Sequence, residues 1–150
     1  MNTVTYSDEY VIDMISKNFI AVKLHLGEDK EWATRYDVRW TPTFLLLDGK
    51  EHEHARNVGY LPVMEMLAFL TLAIGKEAFD GEKFDEAITK FNEVISNYPE
   101  SELAAEAVYY KGVSGYKKGH DASELSRAYQ LLHSKYPNTS WEKKASVWDS

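Results

Sequence analysis

Two histidines and their acidic neighbours are the side chains of this sequence most suited to ligating a metal. His52 and His54 are two residues apart in a predicted strand, so their imidazoles share one face. Glu51 and Glu53 then point to the other face, and His25 is the nearest further candidate ligand. A zinc site needs a third or fourth ligand. The pattern therefore favours ordinary polar residues of an exposed strand, and we predict no metal site.

Nucleophilic chemistry has little support in the sequence. The chain has no cysteine, which excludes disulfides, thiolate ligands and a cysteine nucleophile. His120, Asp121 and Ser123 are residue types found in hydrolytic sites, but no oxyanion feature or second histidine partner accompanies them. Asp121 is expected instead to cap a helix that begins at residue 122. No phosphate loop, dinucleotide fingerprint or metalloprotease motif is present. We therefore predict no catalytic residue and no cofactor.

The most informative segment is a loop, Trp40-Thr41-Pro42, that leads directly into an apolar run. A proline cannot donate to a ladder, so it belongs at the first residue of a strand or in the turn before it. The run at residues 43–48 ends at Asp48-Gly49, a hairpin signal, and a more polar strand follows between His52 and Tyr60. Phe19–Leu26 is apolar at nearly every early position, which predicts a strand buried on both faces.

The order of helix, strand, helix, proline loop, hairpin and helix resembles the rear part of a thioredoxin-like domain of the thiol-disulfide interchange type. The motifs that carry the resemblance are Tyr6-Ser7-Asp8 with Val11-Ile12, Phe19-Ile20-Ala21-Val22-Lys23-Leu24, Tyr36-Asp37-Val38-Arg39-Trp40-Thr41-Pro42-Thr43 and Arg56-Asn57-Val58-Gly59-Tyr60-Leu61-Pro62. The resemblance implies a cis bond before Pro42 and a loop that pairs with an extended peptide. Its implied peptide-binding residues are Trp40, Thr41 and Pro42. The alternative is that Pro42 only shapes the turn and Trp40 packs into the core.

The chain departs from that family in one respect. The resemblance places a Cys-x-x-Cys motif just upstream of the segment corresponding to Met1–Tyr6, after a strand in the middle of the sheet. Both are expected to be absent here, which leaves the strands at 19–26 and 43–48 without the strand between them. The sheet then closes differently, or a partner chain fills the gap, or the chain is a shortened copy of a longer protein. We favour the last.

Residues 75–150 contain an internal repeat. Tyr98-Pro99-Glu100-Ser101 recurs as Tyr136-Pro137-Asn138-Thr139. Gly75, Ala87 and Phe91 precede the first proline, and Gly112, Leu125 and Tyr129 precede the second, at spacings that resemble tetratricopeptide repeats. The small residues Gly75, Ala87 and Gly112 would let helices approach closely. We predict helices at residues 62–80, 83–97, 101–118, 122–135 and 140–148, of which the first is shared with the preceding domain.

Tyrosines are frequent in this second part and offer a possible partner groove at Tyr109, Tyr110 and Tyr116. A tyrosine can anchor an interface because it buries a large ring and keeps a polar tip. The alternative is that these rings are ordinary filling between repeat helices.

Composition narrows the class of partner. The net charge is −7 and no basic face stands out, so neither nucleic acid nor an anionic membrane is an expected partner. The longest apolar run is too short to span a bilayer. No export signal is present, so the chain as given is expected to be cytoplasmic, and periplasmic if an upstream segment is missing.

We therefore predict an α/β chain in which an incomplete thioredoxin-like domain, residues 1–74, is fused through a shared helix to an all-α tetratricopeptide-like region, residues 75–150. The predicted function is a non-catalytic interaction module that binds a peptide or partner protein. The alternative is the C-terminal part of a thiol-disulfide oxidoreductase whose redox cysteines lie upstream. A homo-oligomer that completes the sheet is compatible with both.

Overall fold

A computed structural model describes residues 5–149, and this part of the chain is mostly helical with one small sheet. The elements are α1 (Glu9–Asn18), α2 (Lys30–Arg35), β1 (Thr43–Leu47), β2 (Glu53–Val58), α3 (Val63–Asp80), α4 (Phe84–Asn97), α5 (Ala104–Gly119), α6 (Ser123–Lys135) and α7 (Ser140–Ala145), followed by a 3₁₀ turn at Ser146–Trp148. The predicted mixture of α and β structure is confirmed. The chain divides into two compact units, Met1–Leu67 and Ala68–Ser150, with the boundary inside α3.

The first helix of the first unit is capped by Asp8. The Asp8 carboxylate accepts hydrogen bonds from the N–H groups of Tyr10 (3.0 Å) and Val11 (3.3 Å), which would otherwise lack partners at the start of α1. Val11 is fully buried, and so is Thr5, whose hydroxyl donates to the carbonyl of Leu61 at 2.9 Å. These contacts hold the start of the described chain against the segment that leads into α3.

The two strands form an antiparallel hairpin in which Thr43 pairs with Val58 and Leu46 with Ala55. The next pair is Leu47 with Glu53, so His54 is the extra residue of a β-bulge. The ring of Phe44 lies 6.0 Å from that of Tyr6. The hairpin predicted from Asp48-Gly49 is therefore confirmed, and the bulge changes which side chains of β2 share a face.

The strand predicted at Phe19–Leu26 is wrong. These residues have no strand conformation, and Ile20, Val22 and Leu24 are 96%, 75% and 47% exposed. A strand requires a neighbour that accepts and donates its backbone hydrogen bonds. Within residues 5–149 the sheet contains β1 and β2 alone, so this apolar segment has no strand beside it. A turn follows at Gly27, where the N–H of Asp29 donates to the carbonyl of His25 at 2.7 Å.

The second unit matches the predicted helices closely, and its glycines lie at close helix crossings. A Cβ atom placed on Gly75 would lie 2.7 Å from the ring of Phe91, and one on Gly112 would lie 2.4 Å from the Cβ of Ala128. The partner is sixteen positions after the glycine in both cases. The longer spacing of the second repeat lies before α6, since α4 begins nine residues after Gly75 and α6 begins eleven residues after Gly112.

The repeated Tyr-Pro turns have the same backbone conformation. Tyr98 ends α4 with φ −131° and ψ 51°, and Tyr136 ends α6 with φ −130° and ψ 51°. Each tyrosine N–H donates to the carbonyl four residues earlier, that of Val94 or Leu132, and both of those residues are fully buried. The sequence repeat is thus also a structural repeat.

Among residues 5–149, none of the helices combines the length and apolarity that crossing a bilayer requires.

Candidate functional site

The loop before β1 presents a large aromatic side chain to solvent. Trp40 is 69% exposed, so the alternative that it packs into the core is wrong. The Trp40 carbonyl accepts from the Thr43 hydroxyl at 2.7 Å, and the Pro42 carbonyl accepts from the N–H of Gly59 at 2.8 Å. The Thr41–Pro42 peptide bond is cis, as predicted. The three predicted site residues therefore lie together at the end of the hairpin opposite its turn.

The backbone of this loop continues into an open strand edge. The hydrogen bond between Gly59 and Pro42 shows that Pro42 faces β2, and in an antiparallel pair the facing residues alternate. Phe44 therefore also faces β2, whereas the N–H and C=O groups of Thr43 and Leu45 point to the opposite edge. Among the described residues, no strand pairs with that edge and no hydrogen bond is made to the backbone of Thr41. An extended segment could therefore pair along it.

Arg56 connects β2 to the chain that leads into the Trp40 loop. Its guanidinium donates to the carbonyls of Tyr36 and Asp37, the latter at 3.4 Å. Glu53 holds the same guanidinium through two hydrogen bonds of 2.8 Å, which lower the pKa of Glu53 and raise that of Arg56. The two residues are three apart, and the bulge at His54 shifts the alternation of faces so that their side chains meet. Arg56 thus anchors the loop three residues before Trp40.

Replacing Arg56 by lysine should loosen this loop while the hairpin remains folded. A lysine ammonium cannot reproduce the planar fork that joins two carbonyls and a carboxylate. Losing hydrogen bonds worth about 1 kcal/mol each should speed amide exchange at Asp37 and Val38, whose N–H groups donate to the carbonyls of Thr34 and Ala33, by about tenfold, measured by hydrogen exchange on the free protein. Arg39→Ala is the control, because Arg39 is highly exposed and its ion pair is with Asp37, its neighbour two residues away. Equal exchange in both variants would contradict the anchoring role.

The hairpin turn is organised by the carboxylate of Asp48. One oxygen accepts from the N–H groups of Lys50 (2.8 Å) and His52 (3.0 Å). The other contacts Nδ1 of His52 at 3.2 Å and Nε2 of His54 at 3.1 Å. The backbone bond from His52, followed by the contact with His54, holds the pKa of Asp48 well below its usual range. His52 is exposed as predicted, but the His54 side chain is nearly buried.

The two imidazoles thus converge on Asp48 rather than on His25. No group of three or more metal-ligating side chains suited to holding an ion occurs in residues 5–149. The role that the structure gives to Asp48 and the two histidines is to close the turn.

Replacing Asp48 by asparagine should lower the melting temperature, because the turn loses the negative charge that accepts these hydrogen bonds. The folded-state pKa lies below the unfolded value of about 3.9, so the stabilisation is present above that pH and is lost as the pH falls below it. The difference in melting temperature between the unsubstituted protein and Asp48→Asn should therefore be largest near pH 6 and should shrink below about pH 4. Asp13→Asn, which removes an exposed pair with Lys17, should change little. A pH-independent difference would contradict this account.

The three tyrosines of the possible partner groove differ in their surroundings. Tyr109 stacks on Trp148 (4.8 Å between ring centroids), and Tyr110 packs edge-to-face on Phe79 (5.4 Å). Both rings are half-buried between helices. Tyr116 lies two turns further along α5, where its ring contacts that of His120. Tyr109 and Tyr110 thus contribute packing within the helical unit.

The polar residues after α5 are used for local structure. The Asp121 carboxylate accepts from the N–H of Ser123 at 2.9 Å, and this bond lowers the pKa of Asp121. His120 has a positive φ of 54° and ends α5. Asp121 therefore supports the start of α6, close to the predicted role.

Comparison of the chain with protein-family models, with curated proteins and with solved structures finds no match. Family and function are therefore argued from the residues and their geometry.

Proposed function

We propose that the first unit is a thioredoxin-like module without catalysis, and that it binds an extended peptide or partner segment at Trp40, Thr41 and Pro42. The observation that carries the proposal is the exposed Trp40 beside a strand edge whose backbone groups have no strand partner among residues 5–149. Backbone pairing along such an edge supplies affinity, and side-chain contacts supply specificity. Neither nucleic acid nor membrane is the proposed partner.

The distribution of exposed apolar residues supports an interaction role for the first unit. Thirteen large hydrophobic residues of the described chain are exposed, and eleven of them belong to this unit: Tyr6, Tyr10, Ile12, Ile20, Val22, Leu24, Trp32, Trp40, Val58, Tyr60 and Met64. Concentrations of exposed apolar surface commonly mark binding sites. The second unit, which we propose to be tetratricopeptide-like, has only Tyr116 and Val147 in this set.

Peptides with methylated backbone nitrogens test the proposed strand pairing. A binding peptide is selected on an array of synthetic peptides, and its nitrogens are then methylated one at a time. Pairing along the edge at Thr41, Thr43 and Leu45 predicts that methylation at alternate residues abolishes binding and is tolerated between them, because successive residues face opposite edges. Calorimetry measures each affinity. If methylation weakens binding at every position, without alternation, the peptide does not bind as a strand.

Substituting Trp40 tests the site itself. Trp40→Ala should weaken binding of the selected peptide by at least about tenfold, since a buried aromatic contact is worth more than 1.4 kcal/mol. Tyr10→Ala is the matched control, because Tyr10 is an aromatic residue of equal exposure (68%) on α1. Equal losses of peptide affinity in the Trp40→Ala and Tyr10→Ala variants would mean that the peptide does not bind at Trp40.

A second candidate function is favoured by the exposed segment Phe19–Leu26. Its apolar side chains resemble those of a buried strand, and one edge of β1 has no strand partner among residues 5–149. A further strand supplied by polypeptide upstream of Met1 would pair with both, and in this family a Cys-x-x-Cys motif follows that strand. The chain would then be the C-terminal part of a thiol-disulfide oxidoreductase, in which a thiolate attacks a disulfide of the bound peptide.

The DNA sequence directly upstream of the Met1 codon distinguishes the two candidates. An in-frame Cys-x-x-Cys followed by insulin reduction by the extended protein would support the oxidoreductase, while the present chain should be inactive in that assay because it has no thiol. An upstream sequence without cysteines would support the interaction module. Light scattering tests the remaining possibility, that a second copy completes the sheet.

A further inference from the structure

Residues 19–25, which we call the Val22 segment, combine exposed apolar side chains with an open backbone edge. They contain no helix, turn or bend, and Phe19 is extended, with φ −136° and ψ 157°. Among the described residues, no hydrogen bond is made by the backbone of Ile20, Val22 or Leu24. Since the N–H and C=O groups of alternate residues in an extended chain point to the same edge, these three residues form one open edge.

The opposite edge of the Val22 segment is used at both of its ends. The N–H of Phe19 donates to the carbonyl of Ile15 at 2.9 Å, and the N–H of His25 donates to the carboxylate of Asp29 at 2.7 Å. Another strand can therefore pair with the segment along the edge that contains Val22. The same alternation gives the three residues of that edge, whose side chains are exposed, a common face.

The charges around the Val22 segment favour a second copy of this chain as that strand. Lys17 lies in the last turn of α1, just before the segment, and Glu28 follows the segment. In an antiparallel pair the start of one segment lies beside the end of the other, so the Lys17 end of each copy meets the Glu28 end of the other. A parallel pair would bring like charges together, which is destabilising.

The order of residues in the segment selects one antiparallel register. With Val22 opposite Val22, Ile20 lies opposite Leu24, so every residue of the open edge has an aliphatic residue opposite it. Moving the pairing one step towards the C-terminus would place Lys23 opposite Lys23. Moving it one step towards the N-terminus would place Leu24 opposite Asn18, which belongs to α1.

We propose that two copies of this chain associate through an antiparallel pair of Val22 segments, related by a two-fold axis at Val22. Such an interface is isologous, since each copy contributes the same residues. Seven residues per copy are fewer than the about 20–30 per side of a standard interface, so the dimer is weak and forms as the concentration rises. The assembly does not involve the peptide site proposed at Trp40.

Single cysteines test the register, because the chain has no cysteine of its own. In the proposed pair the two copies of residue 22 lie about 5.5 Å apart, whereas four residues along the strands, about 13 Å, separate the two copies of residue 20. A short bifunctional thiol reagent should therefore link Val22→Cys into covalent dimers and leave Ile20→Cys monomeric on a non-reducing gel. An equal mixture of Ile20→Cys and Leu24→Cys should form dimers, since those positions lie opposite each other.

Val22→Lys tests the interface itself. It places two ammonium groups opposite each other, so the dissociation constant of the dimer, measured by sedimentation equilibrium, should rise at least about tenfold. Val22 is 75% exposed, so the melting temperature of the dilute variant should stay unchanged. Val147→Lys is the matched control, because Val147 is a valine of similar exposure (82%) in the second unit, and it should leave the dissociation constant unchanged.

Three results would overturn the proposal. Ile20→Cys that cross-links as fast as Val22→Cys would exclude the register, and a dimer that Val22→Lys does not weaken would exclude the interface. An unsubstituted chain that stays monomeric from micromolar to millimolar concentration would leave the open edge to a strand of another polypeptide. None of these results changes the peptide affinity expected at Trp40, so the proposed function is tested separately.

Discussion

Replacing Gly112 by alanine should destabilise the helical unit by about 1–3 kcal/mol, although alanine is the better helix former. The new Cβ would lie 2.4 Å from the Cβ of Ala128 and 3.3 Å from the carbonyl oxygen of Glu124. Carbon atoms in contact normally lie about 3.5–4.0 Å apart. Both Cβ atoms are fixed to their backbones, so no rotamer change can relieve the overlap and α5 and α6 must separate. Urea unfolding followed by circular dichroism measures the loss.

Gly119→Ala on the same helix is the matched control. A Cβ at Gly119 has no atom within 4 Å, so the substitution gains helix propensity without a clash and should leave stability equal or slightly higher. Gly115→Ala should fall between the two, because its nearest neighbours belong to the flexible side chain of Glu124. If Gly112→Ala and Gly119→Ala unfold at the same urea concentration, the close crossing of α5 and α6 is wrong.

The helical unit could be predicted well because its signals are local. Apolar residues at helical spacing, Tyr-Pro turns and glycines at a repeated interval each depend on residues close in sequence. The same local evidence could not show which residue of α6 lies against Gly112. That contact, with Ala128, depends on how α5 and α6 pack, and a proline-to-proline alignment contains no information about it.

The strand predicted at Phe19–Leu26 failed because a strand is a non-local structure. An apolar, β-branched run favours extended backbone, but pairing depends on a neighbour elsewhere in the chain or in another chain. The described residues supply one hairpin, and its pairing partner for β1 is β2. The strand expected to lie between residues 19–26 and 43–48 does not occur among residues 5–149, and Ile20, Val22 and Leu24 are exposed.

The anchoring of the Trp40 loop could not be predicted from sequence. Glu53 and Arg56 are three apart, and on a regular strand their side chains would point to opposite faces. The bulge at His54 brings them together, and no turn signal in the sequence marks it. Asp48 was assigned to the turn, but its contacts with His52 and His54 depend on the same bulge. The hairpin and the cis bond before Pro42 were predictable from sequence, whereas the residues that hold the loop were not.

Replacing Phe91 by alanine should cost about 3–5 kcal/mol, the largest loss expected from any single change discussed, because Phe91 is fully buried between α3, α4 and α5. Its ring contacts Tyr110 at 6.0 Å between centroids and closes over Gly75. A small protein is stable by about 5–15 kcal/mol in total, so this variant should melt many degrees lower by calorimetry. Phe84→Ala, a partly exposed phenylalanine of the same helix, should cost much less.

Combining Phe91→Ala with Gly75→Ala tests the contact directly. Gly75→Ala alone should destabilise, since its Cβ would lie 2.7 Å from the Phe91 ring, whereas in the Phe91→Ala background that ring is gone and the new methyl group occupies part of the cavity. The second substitution should then be neutral or stabilising, which gives a coupling energy of about 1–3 kcal/mol in a double-mutant cycle. Additive losses would mean that the small size of Gly75 matters for a reason other than its contact with Phe91, and that α3 and α4 do not cross at this pair.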